Sequence, residues 1–186
     1  MSEITFQGQG IPWISASGTF GFRSLDPGAA LLLDSLEGPC QRLLDLGCGN
    51  GTVGVLARLT HRVESCVMTD VSYPACRAAL ANVEQLQLSR CLVVQANGAS
   101  TRPGFFDQVA LNPPIRAGRT TVLQLFREAH ASLEPGGRLL VVGRIKQGIR
   151  TLATHLETLF GETPTEIRRH KGFRVLRVHR RYAEGS

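Results

Sequence analysis

Lysine is almost missing from this chain: of 21 basic residues only Lys146 and Lys171 are lysines, against 19 arginines. Tryptophan occurs once, methionine twice, and aromatics make up 6% of the 186 residues. No apolar run approaches the ~18 residues of a helical membrane span. Met1-Ser2-Glu3-Ile4-Thr5 lacks the basic start of a secretory leader, so the expected location is cytoplasmic. The five cysteines, Cys40, Cys48, Cys66, Cys76 and Cys91, are odd in number and contain no Cys-x-x-Cys. No histidine stands beside them at metal-ligand spacing, so a disulfide scaffold and a zinc site are both excluded as expectations, and no metal is called for. Repeats, low-complexity stretches and dividing linkers are absent too. The expectation is one domain over residues 1–186, with 1–25 as an irregular N-terminal cap.

What is present is a hydrophobic fraction of 42%, enough for a core at this length. Charge is unevenly placed. Residues 1–100 carry 6 basic and 8 acidic side chains, a balance of −2, whereas residues 101–186 carry 15 and 7, a balance of +8. An arginine-rich genome accounts for arginine in place of lysine, but not for this asymmetry. A basic C-terminal half suits an acidic partner such as nucleic acid.

Short runs rich in Val and Leu alternate with helix-length amphipathic segments, the pattern of βαβ units around a mostly parallel sheet. Strands are expected at Arg42–Leu46, Arg62–Thr69, Arg90–Gln95, Gln108–Leu111 and Arg138–Val142. Helices are expected at Thr52–Leu59, Tyr73–Leu86, Thr121–Leu133 and Ile149–Phe160, the third stopping at Pro135-Gly136-Gly137. Thr165–His170 and Phe173–Arg180 flank Lys171-Gly172 and read as an antiparallel hairpin closing the sheet. Asp26-Pro27-Gly28 suits the opening of a helix through Leu36. The fold class is therefore α/β, Rossmann-like, with helices on both faces.

The strongest local feature is Leu43-Leu44-Asp45-Leu46-Gly47-Cys48-Gly49-Asn50-Gly51, a buried strand running into glycines and then a helix. Gly49-Asn50-Gly51-Thr52-Val53-Gly54 satisfies G-x-G-x-x-G, and Asp70 follows 19 residues after Gly51, as a dinucleotide site requires. Asp45 argues the other way. A carboxylate two residues ahead of the first glycine suits a cationic amine and a sulfonium, and is wrong for a pyrophosphate. Asp70 can accept two hydrogen bonds from ribose hydroxyls, or cap the next helix, a task Ser72 can also perform. Asn97-Gly98 ends the third strand at the same sheet edge, where an amide can read an adenine or simply turn the chain.

Leu111-Asn112-Pro113-Pro114-Ile115 places Asn-Pro-Pro after the fourth strand, at the sheet edge where α/β folds bind ligands. Two prolines stiffen the turn and fix the Asn112 oxygen and a backbone carbonyl as acceptors. Such acceptors can orient an N–H2 group so that its lone pair faces an electrophilic methyl, and they favour the charge that develops on nitrogen. A merely rigid turn is the plainer alternative.

These residues resemble the class I S-adenosylmethionine-dependent methyltransferases, in particular the small-domain enzymes related to the small-subunit ribosomal RNA guanine-N2 methyltransferases. Gly18-Thr19-Phe20, Leu25-Asp26-Pro27-Gly28, Asn112 to Gly118, Lys146-Gln147-Gly148 and Lys171 to Leu176 extend the likeness from about Phe20 to Arg180. The resemblance implies that S-adenosylmethionine is held by Asp45, Gly47, Gly49, Asn50, Gly51, Asp70, Val71, Asn97, Gly98 and Asn112. It further implies that Asn112 and Pro113 hold the target nitrogen. Pro114, Ile115, Arg116, Arg119, Lys146 and Phe173 are then the candidate substrate contacts, with Arg144, Lys171 and Arg174 joining a phosphate track. Ile115 stands where the broader amine-methylating group usually carries an aromatic for base stacking. The expected partner is ribosomal RNA or a ribosomal particle. The alternatives are a protein glutamine methyltransferase, a non-catalytic cofactor-binding RNA module and, more distantly, an NAD-binding protein.

Overall fold

The computed structural model describes residues 2–15, 25–99 and 101–182. A seven-stranded sheet forms the centre, in the order β5-β4-β3-β6-β7-β9-β8. Its strands are β3 (Cys40–Leu46), β4 (Val63–Asp70), β5 (Cys91–Gln95), β6 (Phe106–Leu111), β7 (Leu133–Arg144), β8 (Thr165–His170) and β9 (Phe173–His179). The pairs from β5 through β7 are parallel, and β9 runs antiparallel to both β7 and β8. The chain builds outward from β3 to β5, then returns to the other side of β3 with β6. That reversal leaves a crevice at the C-terminal ends of β3 and β6, where open α/β sheets take ligands.

The helices are α1 (Pro27–Asp34), α2 (Thr52–Leu59), α3 (Tyr73–Gln85), α4 (Arg119–Ser132) and α5 (Ile149–Phe160). Two buried clusters result, one holding α1, α2 and one sheet face, the other holding α4, α5 and residues such as Val109, Leu139 and Val141. Close packing is visible at Gly54, where an added Cβ would lie 2.6 Å from Met68 Cγ and 2.8 Å from Cys66 Sγ. Helix α2 therefore rides directly on β4. Among the described residues no helix is long and apolar enough to cross a membrane.

Two expectations need correction. The N-terminal segment, read as irregular, contains an antiparallel hairpin of β1 (Ser2–Phe6) and β2 (Gln9–Trp13), joined through Gln7 and Gly8 at positive φ. Ile4, Ile11 and Trp13 are buried, and Asn82 of α3 clamps the exit: its amide accepts from Ile14 N–H at 2.8 Å and donates to Ile14 C=O at 2.9 Å. Pro135-Gly136-Gly137, expected to stop a helix ahead of a strand starting at Arg138, lies within β7, which already begins at Leu133. Gly136 N–H donates to Arg180 C=O and Arg180 N–H to Gly137 C=O, both at 2.8 Å, so backbone pairing pulls the glycines into the sheet. Gly18-Thr19-Phe20 lie outside the described residues.

Candidate functional site

A cavity of about 340 Å³ opens at the crevice between β3 and β6. Every residue expected to hold a cofactor lines it except Gly51, and so do Pro113 and Pro114. Gly51 instead opens α2 from the left-handed region at φ 83, with Val55, Ala79 and Met68 crowding the place of a Cβ. Asp26, Thr69, Thr121 and Leu125 also line the cavity, and the sequence alone did not single them out as site residues.

Electrostatics decide what the cavity accepts. Among the described residues its lining includes three carboxylates, Asp26, Asp45 and Asp70, and no Lys or Arg, although the whole chain carries a net charge of +6. Asp45 is 3% exposed. Burial pushes its carboxyl up from 3.8 to about 7, a Gly54 N–H at 2.9 Å works in the opposite direction, and the charge of Asp70 adds to the rise. A neighbouring cation would stabilise this ionised carboxylate, whereas a phosphate would oppose it.

Four backbone donors of the glycine loop are already taken. Gly47 and Cys48 N–H both donate to Thr69 C=O, at 2.8 and 2.9 Å, and Gly51 N–H donates to Cys48 C=O. Gly49 N–H donates to Asp70 Oδ2 at 2.9 Å. Within α2, Gly54 N–H is satisfied by Asp45. A pyrophosphate site depends on free amides at such a loop and helix start; five of them are used here, and the buried Asp45 carboxylate beside them weighs further against a dinucleotide despite the matching G-x-G-x-x-G.

Asp70 is held by Gly49 and by Ser72 N–H at 2.8 Å, one bond to each oxygen. The helix cap falls to the Ser72 hydroxyl, which accepts from Ala75 N–H at 3.4 Å. Each Asp70 oxygen keeps acceptor capacity for a hydroxyl. The Asn50 side chain is committed elsewhere, donating to Ser15 Oγ at 3.2 Å and accepting from Thr52 Oγ1 at 2.7 Å. Gly98, at φ 97, faces the Glu128 carboxylate, which also accepts from Ala99 N–H. Cys48 lines the cavity as an inert thiol, because burial and the neighbouring Asp45 hold its proton on.

The fit to a sulfonium nucleoside rests on two further observations. Thr69 Oγ1 is buried at the cavity with no hydrogen-bond partner among the described residues. At Gly47 (φ 73) and Gly49 (φ 57) an added Cβ would meet nothing within 4 Å, so both glycines leave open space where a ligand can approach the backbone.

Across the crevice, Asn112 is exposed at the end of β6 and its Nδ2 lies 3.4 Å from Asp26 Oδ2. Pro113 C=O accepts from Ile115 N–H at 2.9 Å and retains a second lone pair. Ile115 is partly buried against the α4 and α5 cluster. Phe173, expected to meet a base, is 8% exposed with the Arg144 guanidinium 4.3 Å from its ring centroid, so it belongs to the core. Arg174 is paired with Glu166, and this removes it from the proposed track. Arg116, Arg119, Lys146 and Lys171 are exposed and have no ion-pair partner among the described residues.

A family described as methyltransferase small domain matches residues 10–177. Uncharacterized protein YbxB of Bacillus subtilis strain 168 is 31% identical over 168 residues, covering 88% of this chain and 83% of that protein. Ribosomal RNA large subunit methyltransferase G of Magnetococcus marinus is 34% identical over 150 residues, covering 76% and 39%. Ribosomal RNA small subunit methyltransferase C of Pasteurella multocida is 32% identical over 133 residues, covering 69% and 40%. The chain thus spans most of the first relative and about two fifths of the other two. In structure, the Thermus thermophilus 16S rRNA N2 G1207 methyltransferase, solved with AdoMet and guanosine, superposes with a TM-score of 0.75 at 23% identity. That overlap covers 99% of this chain and 46% of the other, and it establishes likeness of fold.

Proposed function

This chain belongs to the methyltransferase small domain family and is an S-adenosylmethionine-dependent methyltransferase, and we propose that its acceptor is the N2 amine of guanine in ribosomal RNA of the small subunit. The observation that carries the reading is the pairing of an acidic, cation-accepting cavity with acceptors at Asn112 and Pro113. Both relatives named as ribosomal RNA methyltransferases, one for each subunit, support RNA as the acceptor.

Asp45 would hold the amino group and Asp70 the ribose, while Gly47 and Gly49 let the cofactor close on the backbone. When bound, S-adenosylmethionine supplies an electrophilic methyl on a sulfonium sulfur. The Asn112 side-chain oxygen and the Pro113 carbonyl accept the two N–H bonds of the target amine. Its lone pair is then turned into the cavity and kept from delocalising into the ring. Asn112 is exposed, so a proton released from the acceptor nitrogen would have a direct exit to solvent. No covalent enzyme intermediate is needed, in keeping with the inert Cys48 thiol. Arg116, Arg119, Lys146 and Lys171 supply a phosphate track beside the cavity.

The test is transfer of labelled methyl to unmodified small-subunit RNA and, in parallel, large-subunit RNA, each free and in assembled particles, followed by nucleoside analysis. N2-methylguanosine in small-subunit RNA is the expected result. Label only in large-subunit RNA would overturn the subunit, and a different methylated nucleoside would overturn the target atom.

A further inference from the structure

Resting on that reading of the acceptor, we propose that Asp26 is a positioning residue: it sets which way the Asn112 amide faces and so admits only a hydrogen-bond-donating nitrogen to the reaction. Asp26 stands half-buried at the head of α1, 86 residues before Asn112 in sequence, and both line the cavity. Its own position is fixed, because Oδ2 accepts Ala29 N–H at 2.8 Å as the helix cap. The same Oδ2 lies 3.4 Å from Asn112 Nδ2.

A carboxylate offers acceptors only, so the end of the Asn112 amide that faces it must be the N–H2 end. The Asn112 oxygen is thereby turned away from Asp26. Without Asp26 the exposed amide can rotate half a turn and present two donors in place of an acceptor. An acceptor there pairs with the N–H of an exocyclic amine. A donor there repels that amine and suits a ring nitrogen, which carries a lone pair and no proton. Asp26 thus biases the site toward exocyclic amines over ring nitrogens. The contact is long in the free protein, as catalytic hydrogen bonds often are before substrate tightens them.

The test separates this role from helix capping. Asp26→Ser keeps a good cap for Ala29 but is too short to hold Asn112. Its kcat should fall about 10- to 100-fold at saturating S-adenosylmethionine, with Tm within ~3 °C. Asp26→Asn restores an acceptor oxygen at full reach and should recover at least about tenfold over the serine variant. An activity-independent readout is the side-chain 15N–1H amide pair of Asn112, identified by its disappearance in Asn112→Ala. It should shift in Asp26→Ser and return toward the wild-type position in Asp26→Asn. The proposal is overturned by a serine variant with wild-type kcat, by an asparagine variant as slow as serine, or by an Asn112 amide resonance that ignores Asp26. If the wild type methylates no RNA, the acceptor reading fails, and the resonance still decides the Asp26–Asn112 link.

Discussion

Replacing Asp45 with asparagine should make the cofactor-free protein more stable and the cofactor-binding site worse. Asp45 is almost fully buried, with its carboxyl pushed up from 3.8 to about 7 by that burial. Its folded pKa lies above the unfolded one, so folding favours the protonated form. The stability carried by that proton is complete below pH 3.8 and is lost as pH rises through the window up to about 7. At about 1.36 kcal/mol per pH unit, the raised pKa costs the fold about 4 kcal/mol at pH 8, where the buried carboxyl is ionised, and about 2 kcal/mol at pH 5, where it is still protonated but the unfolded chain's is not. Asparagine has the same shape, keeps an oxygen for the Gly54 N–H at 2.9 Å and carries no charge. For a domain of this size ~1 kcal/mol moves Tm by ~2–4 °C. Thermal unfolding at pH 8 should therefore show Asp45→Asn melting above wild type by up to ~8–16 °C, an upper limit because the new N–H2 group also needs a partner. At pH 5 the gap should shrink to about half of that. Calorimetric titration at pH 8 should show S-adenosylmethionine affinity falling by at least about tenfold, the loss of one favourable charge contact. Saturating cofactor would then narrow the gap by about 1.4 kcal/mol, since a tenfold weaker Kd forfeits that much of the stabilisation by binding. A variant that melts below wild type at pH 8, a Tm gap that ignores pH, or undiminished affinity would each refute the reasoning.

Removing the acceptor itself, Asn112→Ala, should lower kcat by about 10²- to 10³-fold at saturating cofactor; retained turnover would remove Asn112 from the mechanism. Gly54→Ala drives a Cβ to 2.6 Å from Met68 Cγ, and overpacking of this kind should cost ~1–3 kcal/mol in denaturant unfolding. Asn82→Ala deletes the bonds to Ile14 N–H, Ile14 C=O and Asn50 C=O; at about 1 kcal/mol each, hydrogen exchange in residues 2–13 should lose protection by ~10- to 100-fold with the sheet core unaffected. Lys171→Ala should weaken RNA binding and reduce the slope of log affinity against log salt by about one charge, whereas Arg174→Ala, whose guanidinium is already paired with Glu166, should change that slope less.

Elements bounded by glycine were legible to the residue. Helix α2 begins after Gly51, and α5 lies between Gly148 and Gly161, all three at positive φ, and both helices have the limits expected from the sequence. Elements set by distant partners were not. The β1–β2 turn uses Gln7 at φ 50 in place of the usual Asn or Asp, and its exit is held by an asparagine 68 residues away. The early start of β7 depends on Arg180, at the far end of the chain. The same division runs through the cavity. Asp45, Asp70 and Asn112 announce themselves by their place after a strand, since that is where this topology exposes side chains. Asp26 looked like a helix cap, which it is; its second contact exists only because the sheet order sets α1 beside the end of β6. Phe173 shows the converse: alternation in β9 marks it for burial, and it is 8% exposed beneath the Arg144 guanidinium, a cover that no local pattern announces.

Charge is segregated by depth, and that separation lets two ligands of opposite sign use one sheet edge. Carboxylates line the cavity, while the free cations Arg116, Arg119, Lys146 and Lys171 sit outside it in exposed positions. On the proposed reading, a polyanionic backbone would be drawn to the rim and repelled by the interior, and would deliver a single base without threading a phosphate inward. A small cationic ligand is drawn past that rim by Asp45, whose burial strengthens the attraction. The unfavourable burial of Asp45 and its pull on a cationic amine therefore have one source: a solvent-exposed carboxylate would cost the fold nothing, and water and salt would screen its charge.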